Sequence, residues 1–149
     1  MTGVLYWSGM DATTLEKLKR YFAERPGLGI ASVYLFGSHA AGREHRESDL
    51  DLAVLLRWDR YPSDRDRFEA RVDLTADLGA ALGRNDVDLV ILNDAPPLFG
   101  RRIIYEGQRL FLGDAAADHE FVRDVQLRAA DLEPWLQRMR RLQLEALAP

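Results

Sequence analysis

Two strand-length apolar segments, Ile30 to Phe36 and Leu50 to Leu56, constrain the fold more than any other feature of the sequence. Both are apolar almost throughout and rich in branched side chains, which is typical of strands buried in a core. A third segment, Val87 to Leu92, has the same character except for one acid. We therefore expect a small sheet with at least these three strands.

The segments around these strands predict helices and one short additional strand. Leu15, Leu18 and Phe22 recur at helical spacing after Asp11 or Thr13, either of which can cap the helix. The other predicted elements are helices from Ser63 to Leu82, Pro96 to Tyr105 and Asp118 to Leu147, and an edge strand from Arg109 to Leu112. Because proline disrupts a helix interior, we expect a kink at Pro134 or a restart capped by Asp131.

This order of elements predicts an α+β (or α/β) fold with a small mixed sheet flanked by helices. The 149 residues are 47% apolar, which is enough for one domain with its own core. That core is expected over about residues 11–112, with a helical extension over about 118–147. Because the chain has no cysteine, disulfides and thiol nucleophiles are excluded.

The distribution of charged and apolar residues excludes some functional classes. Twenty basic residues are scattered among twenty-four acids, so no basic stripe predicts binding to long nucleic acid. The apolar segments are too short to cross a bilayer, and the first ten residues lack the features of a signal peptide. We expect a cytoplasmic protein with no membrane partner.

The chemistry is concentrated after the first predicted strand. Gly37 and Ser38 follow it directly, so the backbone can turn tightly and present N–H groups and a hydroxyl to a phosphate. Asp49 and Asp51 lie two residues apart and therefore share one face of the next strand. Leu50 and Leu52 take the opposite face, toward the core.

A third acid completes this candidate site. Asp88 interrupts the apolar third strand, where burying an acid is unfavourable unless the carboxylate has a partner or a function. Asp86 shares its face but lies at the strand edge, so Asp88 is the preferred site residue. Three carboxylates on neighbouring strands can bind two Mg²⁺ ions, and one of them can accept a proton from an attacking hydroxyl.

The spacing of these residues resembles a known family. Gly37-Ser38, ten intervening residues and then Asp49-Leu50-Asp51 look like the motif of the polymerase-β-type nucleotidyltransferase superfamily. The short chain and the sequences around the motif are similar to its minimal nucleotidyltransferase branch. The resemblance extends to about residue 112.

The resemblance implies roles for five residues. Gly37 and Ser38 would hold the triphosphate of ATP, Asp49 and Asp51 would bind Mg²⁺, and Asp88 would assist the attacking hydroxyl. It also implies an antitoxin that transfers AMP from ATP to a tyrosine of a HEPN-domain ribonuclease toxin. One departure is that His39 and Ala41 stand where relatives often have arginine.

Two alternatives stay open from the sequence. The chain can be a catalytically weak antitoxin that neutralises its toxin by binding through the C-terminal helix, or a nucleotidyltransferase for a small hydroxylated molecule. The apolar stripe of that helix, which includes Trp135, Leu136 and Met139, faces either the core or a partner, and core packing is the commoner case. A homo-oligomer is compatible with the sequence.

Overall fold

The computed structural model describes residues 12–37 and 49–148. The helices and strands of this part, in chain order, are α1 (Ala12–Ala23), β1 (Ile30–Phe36), β2 (Leu50–Leu56), α2 (Asp64–Leu82), β3 (Val87–Ile91), α3 (Pro97–Glu106), β4 (Gln108–Leu112) and α4 (Ala115–Leu147). The predicted α+β class and the mixed sheet are confirmed, and each predicted helix and strand is present.

In the part of the chain that the structure describes, four strands form one mixed sheet in the order β3-β2-β1-β4. β1 pairs with β2 and with β4 in antiparallel register, whereas β2 and β3 are parallel and joined by α2. The two strands that carry the predicted aspartates are therefore immediate neighbours. Their shared direction places their N-terminal ends at the same edge of the sheet.

Helices cover both faces of the sheet. Alternate residues of β2, including Leu52 and Val54, pack in one apolar cluster with α1 and α2. Ala53 and Leu55 face the opposite side and pack in a second cluster with α3 and the first half of α4. Burial on both faces explains why the strands are apolar almost throughout.

Individual side chains and one glycine determine where the elements around β3 begin and end. Ser63 caps α2 by accepting a hydrogen bond from the Asp66 N–H at 3.0 Å, and Gly83 ends the helix with a left-handed φ of 67°. Beyond β3, the Asn93 side chain accepts from the Leu56 N–H and donates to the Leu56 C=O, both at 2.9 Å. The Asn93 amide thus continues the pairing of β2 after β3 itself has ended.

Two expectations for the last helix can be compared with the structure. Of the kink or restart expected at Pro134, the restart capped by Asp131 does not occur, because α4 is one continuous helix. Pro134 is exposed, so the carbonyl that loses its helical partner can bond water instead. The expectation of core packing for the C-terminal stripe is also wrong, because Trp135 and Met139 are exposed; Val125 and Ala129 are the last residues of α4 that are buried.

None of the helices within 12–37 and 49–148 combines the length and apolar character needed to span a bilayer.

Candidate active site

The parallel register of β2 and β3 brings two of the predicted aspartates together. Asp51 and Asp88 are direct partners across the two strands, whose backbones lie about 4.8 Å apart in such a ladder. Asp51 is half-buried and Asp88 is exposed. Alternation along β2 places Asp51 on the α3 face of the sheet, together with Ala53 and Leu55. The pair therefore lies at the edge of that face, where a ligand can reach it.

Gly37 forms the third side of this site. It follows β1 directly and has a left-handed φ of 77°, a conformation that glycine adopts without steric cost. A Cβ added at Gly37 would overlap the carboxylate of Asp51. The turn after β1 and the Asp51 carboxylate are consequently in close contact, and this contact requires glycine on both conformational and steric grounds.

Of the other predicted site residues, Asp49 is described by the structure and Ser38 is not. Asp49 is exposed and lies one residue before β2. Considering residues 12–37 and 49–148 alone, no three His, Cys, Asp or Glu side chains are grouped closely enough to hold a metal ion. Asp49 is thus not gathered with Asp51 and Asp88 into one ligand set. Ser38, with His39 and Ala41, lies outside the described residues.

Asp86, the acid ranked below Asp88, is engaged in contacts that hold the chain before β3. Asp86 lies before β3, and both of its carboxylate oxygens accept hydrogen bonds from Arg84, at 2.5 and 2.6 Å. Its backbone carbonyl accepts from the Leu50 N–H at 2.9 Å. Asp86 therefore has a structural role in joining β3 to β2, and its side chain is already engaged.

Two aromatic residues that sequence reasoning missed lie beside the aspartates. Phe36 is the register partner of Asp51 on the β1 side, and its ring meets the ring of Phe99 edge to face at 5.9 Å between centroids. Phe99 comes from α3, so the chain gives no local sign that it approaches β1. The sequence feature that could have identified Phe36 as a site residue is its position directly before Gly37.

A second acid-containing network on the same face of the sheet is structural. Buried Asp118 accepts a hydrogen bond from the Tyr34 hydroxyl at 2.8 Å and one from Arg109 at 3.2 Å. Burial and the contact with Asp118 raise the pKa of Tyr34 well above the usual value for tyrosine. Because Asp118 has two hydrogen-bond partners within the protein, its burial is explained without a bound ligand.

The donor chemistry of the Asp51 and Asp88 pair fits Mg²⁺. Both side chains offer carboxylate oxygens, which are the ligands that this ion prefers. A Mg²⁺ site in proteins commonly uses only one or two carboxylates together with phosphate oxygens of the substrate. The pair is therefore sufficient as a protein contribution.

The fold and the position of the site define a class of protein. A family model described as Polymerase beta, Nucleotidyltransferase matches residues 16–116. The chain belongs to this nucleotidyltransferase family, which confirms the resemblance drawn from the motif.

One curated relative is similar to about half of the chain. The chain is 38% identical over 79 residues to the protein adenylyltransferase MntA of Shewanella oneidensis, an alignment that covers 53% of this chain and 52% of MntA. The match therefore spans about half the length of that curated relative.

Solved structures extend the likeness over nearly the whole chain. A crystal structure of a toxin–antitoxin with AMP-PNP is similar at a TM-score of 0.60 and 26% identity, covering 89% of this chain and 97% of that one. A structure of a tri-AMPylated Shewanella oneidensis HEPN toxin in complex with MNT antitoxin has a TM-score of 0.58 and 24% identity, covering 93% and 98%. The second of these shows likeness of fold alone.

Proposed function

We propose that this protein is a Mg²⁺-dependent nucleotidyltransferase antitoxin that transfers AMP from ATP to a tyrosine hydroxyl of a partner HEPN toxin. The observation that carries the proposal is the pairing of Asp51 with Asp88 beside the turn at Gly37. The relatives support the substrate and the partner, because one is named a protein adenylyltransferase and another was solved as a toxin–antitoxin with AMP-PNP.

Each residue of the site has a defined role in this reaction. Gly37 and Ser38 would hold the triphosphate through the tight turn after β1. Asp51 and Asp88 would hold Mg²⁺, with exposed Asp49 drawn toward them when the ion binds, and the ion would supply positive charge that stabilises the phosphate oxygens. The tyrosine oxygen forms a bond to the α-phosphorus as the bond to pyrophosphate breaks. Exposed Asp88 accepts the tyrosine proton.

The direct test is transfer of label from ATP labelled at the α-phosphate to the purified toxin. Asp51→Asn and Asp88→Asn each should lower the transfer rate by at least about 10²-fold, equivalent to about 2.7 kcal/mol of barrier. Asp73→Asn, an exposed aspartate of α2 on the other face of the sheet, is the matched control and should keep the wild-type rate. Wild-type transfer by a folded Asp51→Asn, Asp88→Asn double variant would refute the proposal.

Nucleotide binding gives a second readout that needs no toxin. ATP with Mg²⁺ should raise Tm, since a ligand at about 100 times its Kd adds about 2.7 kcal/mol to the unfolding free energy. Removing Mg²⁺ with a chelator, or introducing Asp51→Asn, should abolish most of that shift. An equal shift with and without Mg²⁺ would contradict the assigned role of the aspartates.

A second candidate function is neutralisation of the toxin by binding without transfer. It is favoured by one observation in the sequence, namely that His39 and Ala41 stand where relatives often have arginine. Stoichiometric inhibition of the toxin without incorporation of label distinguishes this function from the first. A transferase acting on a small hydroxylated molecule would instead label that molecule and leave the toxin unlabelled.

A further inference from the structure

A cleft runs along the outer edge of β3. In the part of the chain that the structure describes, β3 is an edge strand, and the cleft lies between it, the N-terminal half of α2 and the start of α3. Its volume is about 730 Å³, which is within the range of ligand-binding sites in proteins. Its walls include Phe68 and Arg71 from α2, Leu89 and Val90 from β3, and Phe99 from α3.

The walls of this cleft are aromatic and exposed. Phe68 is 60% exposed and Phe99 is 36% exposed. Exposed aromatic side chains on one concave surface are typical of a binding site, because covering them removes a large apolar area from water. Among the described residues, the charges of the lining balance, since they are two aspartates and two arginines: Asp64, Asp94, Arg67 and Arg71. The cleft therefore favours an apolar, uncharged ligand.

Arg71 determines how a ligand can bind beside β3. The Asp86 carbonyl faces β2, where it accepts a hydrogen bond from the Leu50 N–H, so by alternation the backbone groups of Leu89 face outward. The Arg71 Nε donates to the Leu89 carbonyl at 2.9 Å, which removes an acceptor that an added strand would need. The cleft is consequently suited to side chains that pack on its aromatic walls, and not to a segment that pairs along β3.

The cleft opens beside the aspartate pair. Asp88 lies on the same face of β3 as Val90, with their Cα atoms about 6.6 Å apart. Phe99 connects the same two regions, because its ring meets the ring of Phe36, the register partner of Asp51. A segment bound in the cleft therefore lies next to the Asp88 carboxylate.

The order of the strands assigns this cleft to one of the two substrates. Because the strands lie in the order β3-β2-β1, the turn at Gly37, Asp51 and Asp88 follow one another across the sheet, and the cleft lies beyond Asp88. With the triphosphate at Gly37, pyrophosphate leaves on that side. In an in-line displacement the attacking oxygen approaches the phosphorus from the opposite side. The acceptor therefore enters from the side of Asp88 and the cleft.

We propose that this cleft is the acceptor site, in which Phe68 and Phe99 bind apolar residues that flank the reactive tyrosine of the partner toxin. The inference rests on the proposed function and deepens it. It states where the acceptor binds and which chemistry selects it, namely an apolar, uncharged stretch of chain around the tyrosine.

The first measurement compares two apolar residues of similar exposure. Phe68 lies in the cleft, whereas Leu127 is 62% exposed on α4 and lies outside it. Phe68→Ala should raise the KM for the purified toxin by at least about fivefold in the label-transfer assay, while kcat and the Kd for ATP with Mg²⁺ change by less than about twofold. Leu127→Ala should leave all three values within about twofold. An unchanged KM in Phe68→Ala overturns the acceptor site, and so does weakened ATP binding, which would assign the cleft to the nucleotide.

A second measurement locates the bound segment without depending on transfer. Because the chain has no cysteine, Phe68→Cys introduces a single thiol that can carry a photoreactive cross-linker, and Leu127→Cys provides the control. After irradiation with the purified toxin, mass spectrometry should find position 68, and not position 127, joined to a toxin segment with a tyrosine among apolar residues. Label transfer should modify that same tyrosine.

The outcomes separate this inference from the proposed function. A cross-link from position 68 to such a segment without any label overturns the proposed transfer and supports the cleft. Label on the toxin without a cross-link from position 68, or with a cross-link to a segment that lacks the labelled tyrosine, overturns the cleft and leaves the transfer intact. Neither label nor cross-link overturns both.

Discussion

At the scale of single residues, Gly37 and Gly83 form a matched pair for testing the site. Both have a left-handed φ, but a Cβ would overlap Asp51 at Gly37 and would meet nothing within 4 Å at Gly83. Alanine should therefore cost about 1 kcal/mol of unfolding free energy at Gly83 and leave nucleotide binding intact.

Gly37→Ala should in addition displace the Asp51 carboxylate. We expect Mg²⁺-dependent ATP binding to weaken by at least about tenfold, because the assigned ligand can no longer keep its position. Calorimetry on both folded variants provides the measurement. Equal ATP affinities for Gly37→Ala and Gly83→Ala would show that the contact between Gly37 and Asp51 has no role in the site.

Tyr34 predicts a pH dependence of stability. Its pKa is raised in the folded state, so the stability that it contributes is present below the usual tyrosine pKa of about 10 and is lost as pH rises above that value. Tyr34→Phe should lower the unfolding free energy at pH 8 by about 1–2 kcal/mol through the lost hydrogen bond to Asp118. It should also make the decline between about pH 10 and 12 shallower.

Denaturant unfolding at a series of pH values measures both effects. Tyr21, whose pKa is also raised by burial and by its contact with Asp77, contributes a similar decline. The double variant Tyr21→Phe, Tyr34→Phe should therefore be the least sensitive to alkaline pH. A decline as steep in the double variant as in the wild type would contradict this assignment.

The residues of the site were predictable from sequence to different degrees. Asp51 was predicted from alternation along β2 and Asp88 because it interrupts an apolar strand, and the structure makes the two residues register partners. The contribution of Phe99 could not be predicted, because it depends on how α3 packs against β1. From the sequence, Asp86 could only be ranked below Asp88 as a site residue. Its ion pair with Arg84 could not be predicted, because that contact depends on the turn before β3.

At the scale of elements, Pro134 lies inside the continuous helix α4, so the restart that was one of two expectations there does not occur. Proline costs about 3 kcal/mol in a helix interior, yet the helix continues through it. A restart would be required only if this cost broke the helix. At an exposed position the freed carbonyl bonds water, and the helix on either side supplies the remaining stability.

Pro134→Ala should consequently stabilise the second half of α4. Amide hydrogen exchange over residues 130–138 is expected to slow, because local opening becomes more costly by up to about 3 kcal/mol. Pro97→Ala is the control, since Pro97 lies in the first turn of α3, where its missing N–H removes no helical hydrogen bond. Unchanged exchange around residue 134 would indicate that the helix already frays there for another reason.

At the scale of the whole molecule, the domain and residues 130–147, the projecting half of α4, should be separable. Both apolar clusters lie before residue 130. A chain ending at Ala130 loses the Arg101 to Glu133 ion pair, which is partly exposed and worth at most about 1 kcal/mol. Its Tm should fall by no more than about 6 °C.

Differential scanning calorimetry and the ATP binding assay test this division. The shortened chain should unfold cooperatively and retain ATP affinity within about twofold. Loss of cooperative unfolding would mean that the projecting half contributes to the core.

The sequence predicted the arrangement of strands and helices better than the relation of α4 to the domain. Apolar residues at helical spacing do not distinguish a helix packed on its own sheet from one that packs on another chain. Val125 and Met139 carry the same signal, but Val125 is buried where α4 packs beside Gly100 of α3, and Met139 is exposed. How far α3 extends alongside α4, which is a tertiary property, decides between the two.

The amide of Asn93 makes the end of β2 sensitive to a small chemical change. Deamidation, or Asn93→Asp, replaces the donor that faces the Leu56 carbonyl with a second oxygen, so that attraction becomes repulsion at an edge where β3 has already ended. We expect fraying there, visible as a lower Tm and faster amide exchange at Leu56. Because the aspartate pair lies at the opposite end of the same strands, aged protein should lose thermal resistance before it loses nucleotide affinity.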